Sequence, residues 1–351
     1  MPSRIHSRRP TSMSRRRRAS GLLLGLGIFI GASTFLYKVG SGGDGGKAAP
    51  VQFVQEPPRT CWVFNHMNKA GGSTIKYMLS PWVEERDDVS LGLYDGPQWL
   101  DGKSYAEKYL EEKNTLTWGA YTEGLRPHGG GEECKWFTIF RHPIPRLVSA
   151  YYYCQKSPKD GLCASHILQA NETSLHTFAE HWGNFGLRQF SLAYALPEDV
   201  LTAEAESGNR CVPRKGRKEC PGWYRLKLYL EGLNQKATTA DMKDGAMLGL
   251  IQPVSELLNE HYAAVGILEK WDSSLKLFGA ALKIPNFDWF KASRKVGKKN
   301  GNGTFKKLEN EALEIAWTDP ELKKHMLLDF VLYDHAVNVH KRQLAKYGLS
   351  E

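Results

Sequence analysis

Lys69, Ala70, Gly71, Gly72, Ser73 and Thr74 follow one another beyond a four-residue gap after the apolar run Trp62 to Phe64, and they lead into Ile75, Met78 and Leu79 at helical spacing. A movable cation, two residues without side chains and two hydroxyls at a strand-to-helix turn are the groups that hold an anion. Glycines let backbone N–H groups come close, and the helix start carries partial positive charge. The order is unusual. In the phosphate loop of nucleotide hydrolases the lysine follows the glycines, whereas here it precedes them, so the ligand expected is a phosphate group that meets its lysine from the other side.

A second segment of the same kind lies further on, "CKWFTIFRHPIPRLVSAYYYC". Trp136 to Phe140 reads as a buried strand ending in Arg141, and a proline-bounded turn leads into a helix carrying Arg146 and Ser149. Arg141 at the strand's carboxy end and Ser149 two turns into the helix can converge on one phosphate.

Both segments need a scaffold that brings strand ends together. The 351 residues are 41% hydrophobic, enough for one large α/β core. The architecture expected is a three-layer sandwich around a central parallel sheet, with the strands at Trp62 and Trp136 as neighbours. Ligands in such folds bind at the carboxy ends of the strands. Helices from Leu175 and from Ser255 are expected to cover the sheet.

The formal net charge of +9 does not imply a nucleic-acid partner, because seven arginines sit in residues 1–18 and Lys38 adds another cation; the remainder is near +1. The basic run precedes Ala19 to Tyr37, which carries no charge. That length suits a helix crossing ~30 Å of hydrocarbon, and the flanking arginines favour a cytosolic amino end. The organisation expected is a cytoplasmic tail over 1–18, a membrane anchor over 19–39, a Gly- and Pro-rich stem over 40–58 and a lumenal domain over 59–351. A cleaved secretory signal fits less well, since its apolar stretch is usually about 7–15 residues. All six cysteines and the sequons at Asn171 and Asn302 lie beyond the apolar run, as an oxidising compartment requires. Cys61 and Cys134 precede the two motif strands, and neighbouring strands about 4.8 Å apart allow a bridge between them. Local pairing of Cys154 with Cys163 and of Cys211 with Cys220 leaves none over.

Together "NKAGGST" and "RHPIPRLVS" resemble the donor motifs of the Golgi-membrane carbohydrate sulfotransferases, in particular the group with the heparan and dermatan uronyl 2-O-sulfotransferases. The second run matches the family's Arg-x-Pro-x-x-Arg-x-x-Ser. The resemblance extends at lower specificity to "NFGLRQF" (184–190), "VGILEKWDSSLKLF" (265–278) and "LLDFVLYDHAVNVHKRQL" (327–344). It implies the P-loop-like fold of that family and the donor 3′-phosphoadenosine 5′-phosphosulfate (PAPS). It also implies a carbohydrate acceptor, no metal, and a Golgi membrane protein of type II topology. In that reading Lys69 neutralises charge on the bridging oxygen as the S–O bond breaks. Ala70 to Thr74 cradle the 5′-phosphate, while Arg141 and Ser149 hold the 3′-phosphate.

One departure bears on catalysis. The family places a base histidine in a Gly-His segment, and Ala120 stands there in "TWGAYTEGLRPHGGG". Glu123 and His128 are the nearby candidates to take the proton, each with a plain loop role as the alternative. His66 and His142 flank the two motifs and read as packing or backbone-positioning residues. Basic runs at 211–227, which holds Trp223 and Tyr224 close behind its cations, and at 291–307 offer charge and stacking surface to donor or glycan. Two other functions stay open: an inactive sulfotransferase-fold protein that binds glycans, and a nucleotide kinase, which would want an acidic metal ligand where Arg141 stands. A homo-oligomer also stays open.

Overall fold

The structure is a computed structural model that describes residues 60–93, 114–120, 122–128, 133–157, 163, 173–191, 212–214, 217–219, 248–297 and 303–351. The expected tail, anchor and stem, the sequons at Asn171 and Asn302, and the Cys211–Cys220 pair lie outside these residues. Among the described residues no helix is long and apolar enough to cross a membrane.

Five strands form one all-parallel sheet in the order β2-β3-β1-β4-β7. They are β1 (Cys61–Asn65), β2 (Val89–Leu93), β3 (Asn114–Gly119), β4 (Lys135–Phe140) and β7 (Tyr262–Ile267). A separate antiparallel pair, β5 (Val212–Arg214) and β6 (Arg217–Glu219), lies in the basic run. The expected neighbours pair directly, with Val63 opposite Trp136 and Phe64 opposite Phe137. Parallel strands are covered on both faces, which is why the motif strands are mostly apolar, with Thr138 the one polar residue inside Trp136 to Phe140, rather than alternating with polar residues.

Strand periodicity divides the core. Trp62 and Phe64 point into one cluster with Ile75, Met78 and Leu79 of α1 (Gly72–Glu84) and with Leu275 and Phe278 of a later helix, Trp271–Leu282. Val63 points the other way, into a cluster with Trp136 and Phe140. Pro81 sits inside α1 and breaks the hydrogen bond to the carbonyl of Tyr77. Tyr77 is exposed, so water can satisfy that carbonyl, and the helix continues to Glu84.

The remaining helices, in chain order, are α2 (Pro143–Lys156), α3 (Leu175–Trp182), α4 (Phe185–Phe190), α5 (Leu248–Glu260), α6 (Trp271–Leu282), α7 (Trp289–Gly297), α8 (Gly303–Thr318), α9 (Pro320–Lys324) and α10 (Leu327–Lys346). The helix expected from Ser255 begins earlier, at Leu248, and covers the sheet as expected through Val254, Leu257 and Leu258. The helix at Leu175 does not. Phe178, Ala179 and Trp182 pack against Ile144, Leu147 and Val148 of α2 in a third cluster that contains no strand residue. An amphipathic pattern states that a face is buried and leaves open which surface buries it.

Two disulfides tie the domain, Cys61–Cys134 with a Cα separation of 4.7 Å and Cys154–Cys163 with 5.2 Å. The first joins the amino ends of β1 and β4, opposite the ends that carry the two motifs.

Candidate functional site

β1 ends at Asn65, and the chain then turns through His66 to Gly71 into α1. Lys69 has φ 64° and Gly71 φ 85°, both left-handed. Glycine at 71 meets this conformation without the penalty of a Cβ, and a Cβ there would also come within 2.8 Å of Leu268 Cδ1. At Gly72 the requirement is space: a Cβ would lie 1.8 Å from Cδ2 of His66. Helix α1 starts with no side-chain cap. Its first amides are thus presented to whatever enters from the strand ends. Ser73 is exposed, Thr74 half-buried and Ala70 buried in the core.

The second motif arrives from the neighbouring strand. Arg141, the first residue past β4, donates from Nη1 to the carbonyl oxygen of Lys69 at 3.2 Å. Burial pushes its guanidinium below the usual arginine value, and Glu309 and Glu269 pull it back up. The Lys69 ammonium lies 3.9 Å from the centre of the Tyr153 ring on α2. Ser149 is one turn before Tyr153 on that helix and so shares its face; it is half-buried. Lys69, Arg141, Ser149 and the start of α1 are therefore gathered at the adjacent ends of β1 and β4.

A third strand closes this side. Glu269, just past β7, accepts from the backbone N–H of His142 at 2.9 Å and from the Tyr333 hydroxyl at 3.1 Å. Burial, followed by Glu269, holds the Tyr333 phenol well above its ordinary value. His142 caps α2, its ring accepting from the Ile144 N–H and lying 4.4 Å from the Trp317 ring. Burial holds its imidazole below the usual histidine value. The positioning role read for His142 from the sequence is the one it has.

Arg146 is not at the mouth. It is buried and ion-paired with Asp329 of α10, whose carboxylate also accepts from the Leu187 N–H at 2.8 Å and the Gly186 N–H at 3.3 Å. Asn184, left-handed at φ 53°, accepts from the N–H groups of Leu328 and Asp329. Here the motif arginine and the "NFGLRQF" and carboxy-terminal stretches meet as one buried brace. Gln189 extends that brace to the site. Its amide donates to the carbonyls of His66 and Ala120, and its oxygen accepts from the Asn68 N–H at 3.5 Å.

The two base candidates separate. Glu123 lies in a 3-10 helix, Thr122–His128, and the structure corrects the expectation of a solvated loop acid. It is 0% exposed. One carboxylate oxygen accepts from the Tyr262 hydroxyl and from Asn65 Nδ2 at 3.3 Å, and the other pairs with Arg126 Nε at 2.8 Å. The Arg126 guanidinium in turn lies 3.8 Å from the Trp136 ring centre. Burial, then the carboxylate beside it, pushes the Tyr262 phenol well above its usual value, so it stays a donor. Glu123 is a brace beneath the loop, with both oxygens engaged away from solvent. The side chain of His128 lies outside what the structure describes. Among the described residues no group of three metal-ligating side chains forms.

No protein-family model and no curated protein matches the chain.

Proposed function

We propose that the chain transfers a sulfuryl group from PAPS to a hydroxyl of a carbohydrate. The observation that carries the reading is the contact from Arg141 to the Lys69 carbonyl at 3.2 Å, which ties two anion-binding segments together at neighbouring parallel strand ends. The donor has two anionic groups, and the site offers two cationic groups beside an uncapped helix start.

The chain's residues divide the work. The amides of Gly72 and Ser73 and the hydroxyls of Ser73 and Thr74 hold the 5′-phosphate end. Arg141 and Ser149 hold the 3′-phosphate, the group that distinguishes this donor from ATP. Lys69 carries its ammonium toward the bridging oxygen, where charge grows as the S–O bond breaks. The left-handed turn at Lys69 and Gly71 sets these groups in place before the ligand arrives, which lowers reorganisation during transfer. The same reading places the domain in the Golgi lumen behind an amino-terminal anchor of type II topology.

Titrating the purified full-length chain with adenosine 3′,5′-bisphosphate and with ATP tests the donor assignment. Tight binding of the bisphosphate and weak binding of ATP is the expected result; a preference for ATP would point to a kinase. Incubation with labelled PAPS and a panel of polysaccharides then identifies the acceptor. A second reading, a glycan-binding protein on an inactive fold, is favoured by Ala120 and by the sealing of Glu123. Binding of neither nucleotide would support it.

A further inference from the structure

Ala120 brings only a methyl group, and the Glu123 carboxylate is engaged by Asn65, Arg126 and Tyr262. We propose that His66 is the catalytic base, an inference that rests on the sulfuryl-transfer reading above.

His66 is the first residue past β1. Its N–H donates to the Gly119 carbonyl at 2.8 Å, and its own carbonyl accepts from Gln189 Nε2 at 2.8 Å, the same amide that grips Ala120. Positions 66 and 120 are thus side by side at the lips of β1 and β3. The imidazole stacks on Phe64 with ring centres 6.0 Å apart and planes 20° apart, which fixes its orientation. Its edge lies against the first residue of α1: a Cβ built on Gly72 would be 2.5 Å from Nε2. The ring is half-buried, so it is reachable from solvent while held in place.

The step balances as follows. The acceptor oxygen forms a bond to sulfur, and its proton passes to Nε2 of neutral His66. The bond from sulfur to the 5′-phosphate oxygen breaks, and its electron pair leaves on adenosine 3′,5′-bisphosphate beside Lys69.

The test uses the full chain with PAPS and the polysaccharide that supports turnover, comparing wild type with His66→Gln and His66→Ala. The expected wild-type kcat/KM falls on an acidic limb, and His66→Gln loses about 10²–10⁴-fold of the rate together with that limb. Free imidazole restores part of the His66→Ala rate, and both variants bind the bisphosphate as wild type does. Retention of the rate and the acidic limb in His66→Gln overturns the proposal. So does a loss of bisphosphate binding that matches the loss of rate, the outcome of simple packing against Gly72. A second measurement needs no acceptor: saturating bisphosphate should slow modification of His66 by diethyl pyrocarbonate, located by peptide mass, and unchanged modification in bisphosphate-saturated protein overturns the proposal. If wild type binds no bisphosphate at all, the sulfuryl-transfer reading itself fails, a result distinct from any of these.

Discussion

Lys69 holds a left-handed backbone at φ 64° although it carries a side chain, a conformation that costs about 1–3 kcal/mol at a non-glycine residue. The hydrogen bond from Arg141 to its carbonyl helps to offset that cost, so the two residues are coupled structurally as well as electrically. Alanine at 69 keeps the Cβ and hence the same backbone strain, and Lys69→Ala therefore isolates the ammonium. Turnover is expected to fall by about 10²–10³-fold, with bisphosphate affinity nearly unchanged. Arg141→Ala should do the reverse first. Losing a charge-assisted contact weakens bisphosphate binding by about 1.5–3 kcal/mol, and the loosened Lys69 carbonyl then lowers turnover too. Calorimetric titration beside steady-state rates separates the two variants. Equal effects on both quantities in both variants would remove the division of labour proposed for them.

The elements around the site are held by a few buried polar links between distant segments. Asp329 of α10 receives Arg146 of α2 and two amides of α4, so three helices share one carboxylate. Asp329→Asn leaves the Arg146 guanidinium buried without its counter-charge, and the expected loss of unfolding free energy is about 3–5 kcal/mol by urea titration. His340 of α10 is a second link. One ring nitrogen lies 2.8 Å from the Val265 carbonyl of β7 and the other 3.0 Å from Ser273 Oγ of α6. Burial pushes its folded-state value below the ordinary 6.5, with Lys270 adding to the fall and the Val265 contact and Glu351 opposing it. Between that depressed value and 6.5 the unfolded chain binds more protons, so stability is full above 6.5 and is lost as the pH falls through the window. His340→Gln should show a shallower loss of unfolding free energy from pH 7 to pH 5 than wild type. Identical slopes would assign the acid sensitivity to other groups.

At the scale of the molecule, the Cys61–Cys134 bridge closes a span of 73 residues and pins the ends of β1 and β4 that face away from the motifs. Replacing both cysteines by serine should lower stability by about 2–4 kcal/mol, read as a lower unfolding midpoint, with bisphosphate binding retained wherever the domain stays folded. This bridge, the two motif strands, their parallel pairing and the glycine turn were legible in the sequence. Each depends on local signals: continuous apolar runs, glycines before a helical period, cysteines at strand starts. The surface that α3 covers was not legible, because a buried stripe does not name its partner. Nor was the fate of Glu123, which reads as a base or a loop acid and becomes a buried brace only because Asn65, Arg126 and Tyr262 converge on it. Arg146 is legible only as a motif position, and a carboxylate 183 residues away gives it its buried partner. For His66 the neighbours of its ring and its carbonyl, Gly72 and Gln189, come from other segments, and the base role proposed for it rests on that placement. Sequence alone determined which segments carry the glycine turn, the hydroxyls and the cations at strand-to-helix junctions, since backbone geometry and helix ends follow from neighbours in the chain. Only the tertiary structure decided which titratable side chains stand at the strand ends and which are consumed in buried braces, because burial and pairing depend on residues that the chain separates and the fold brings together.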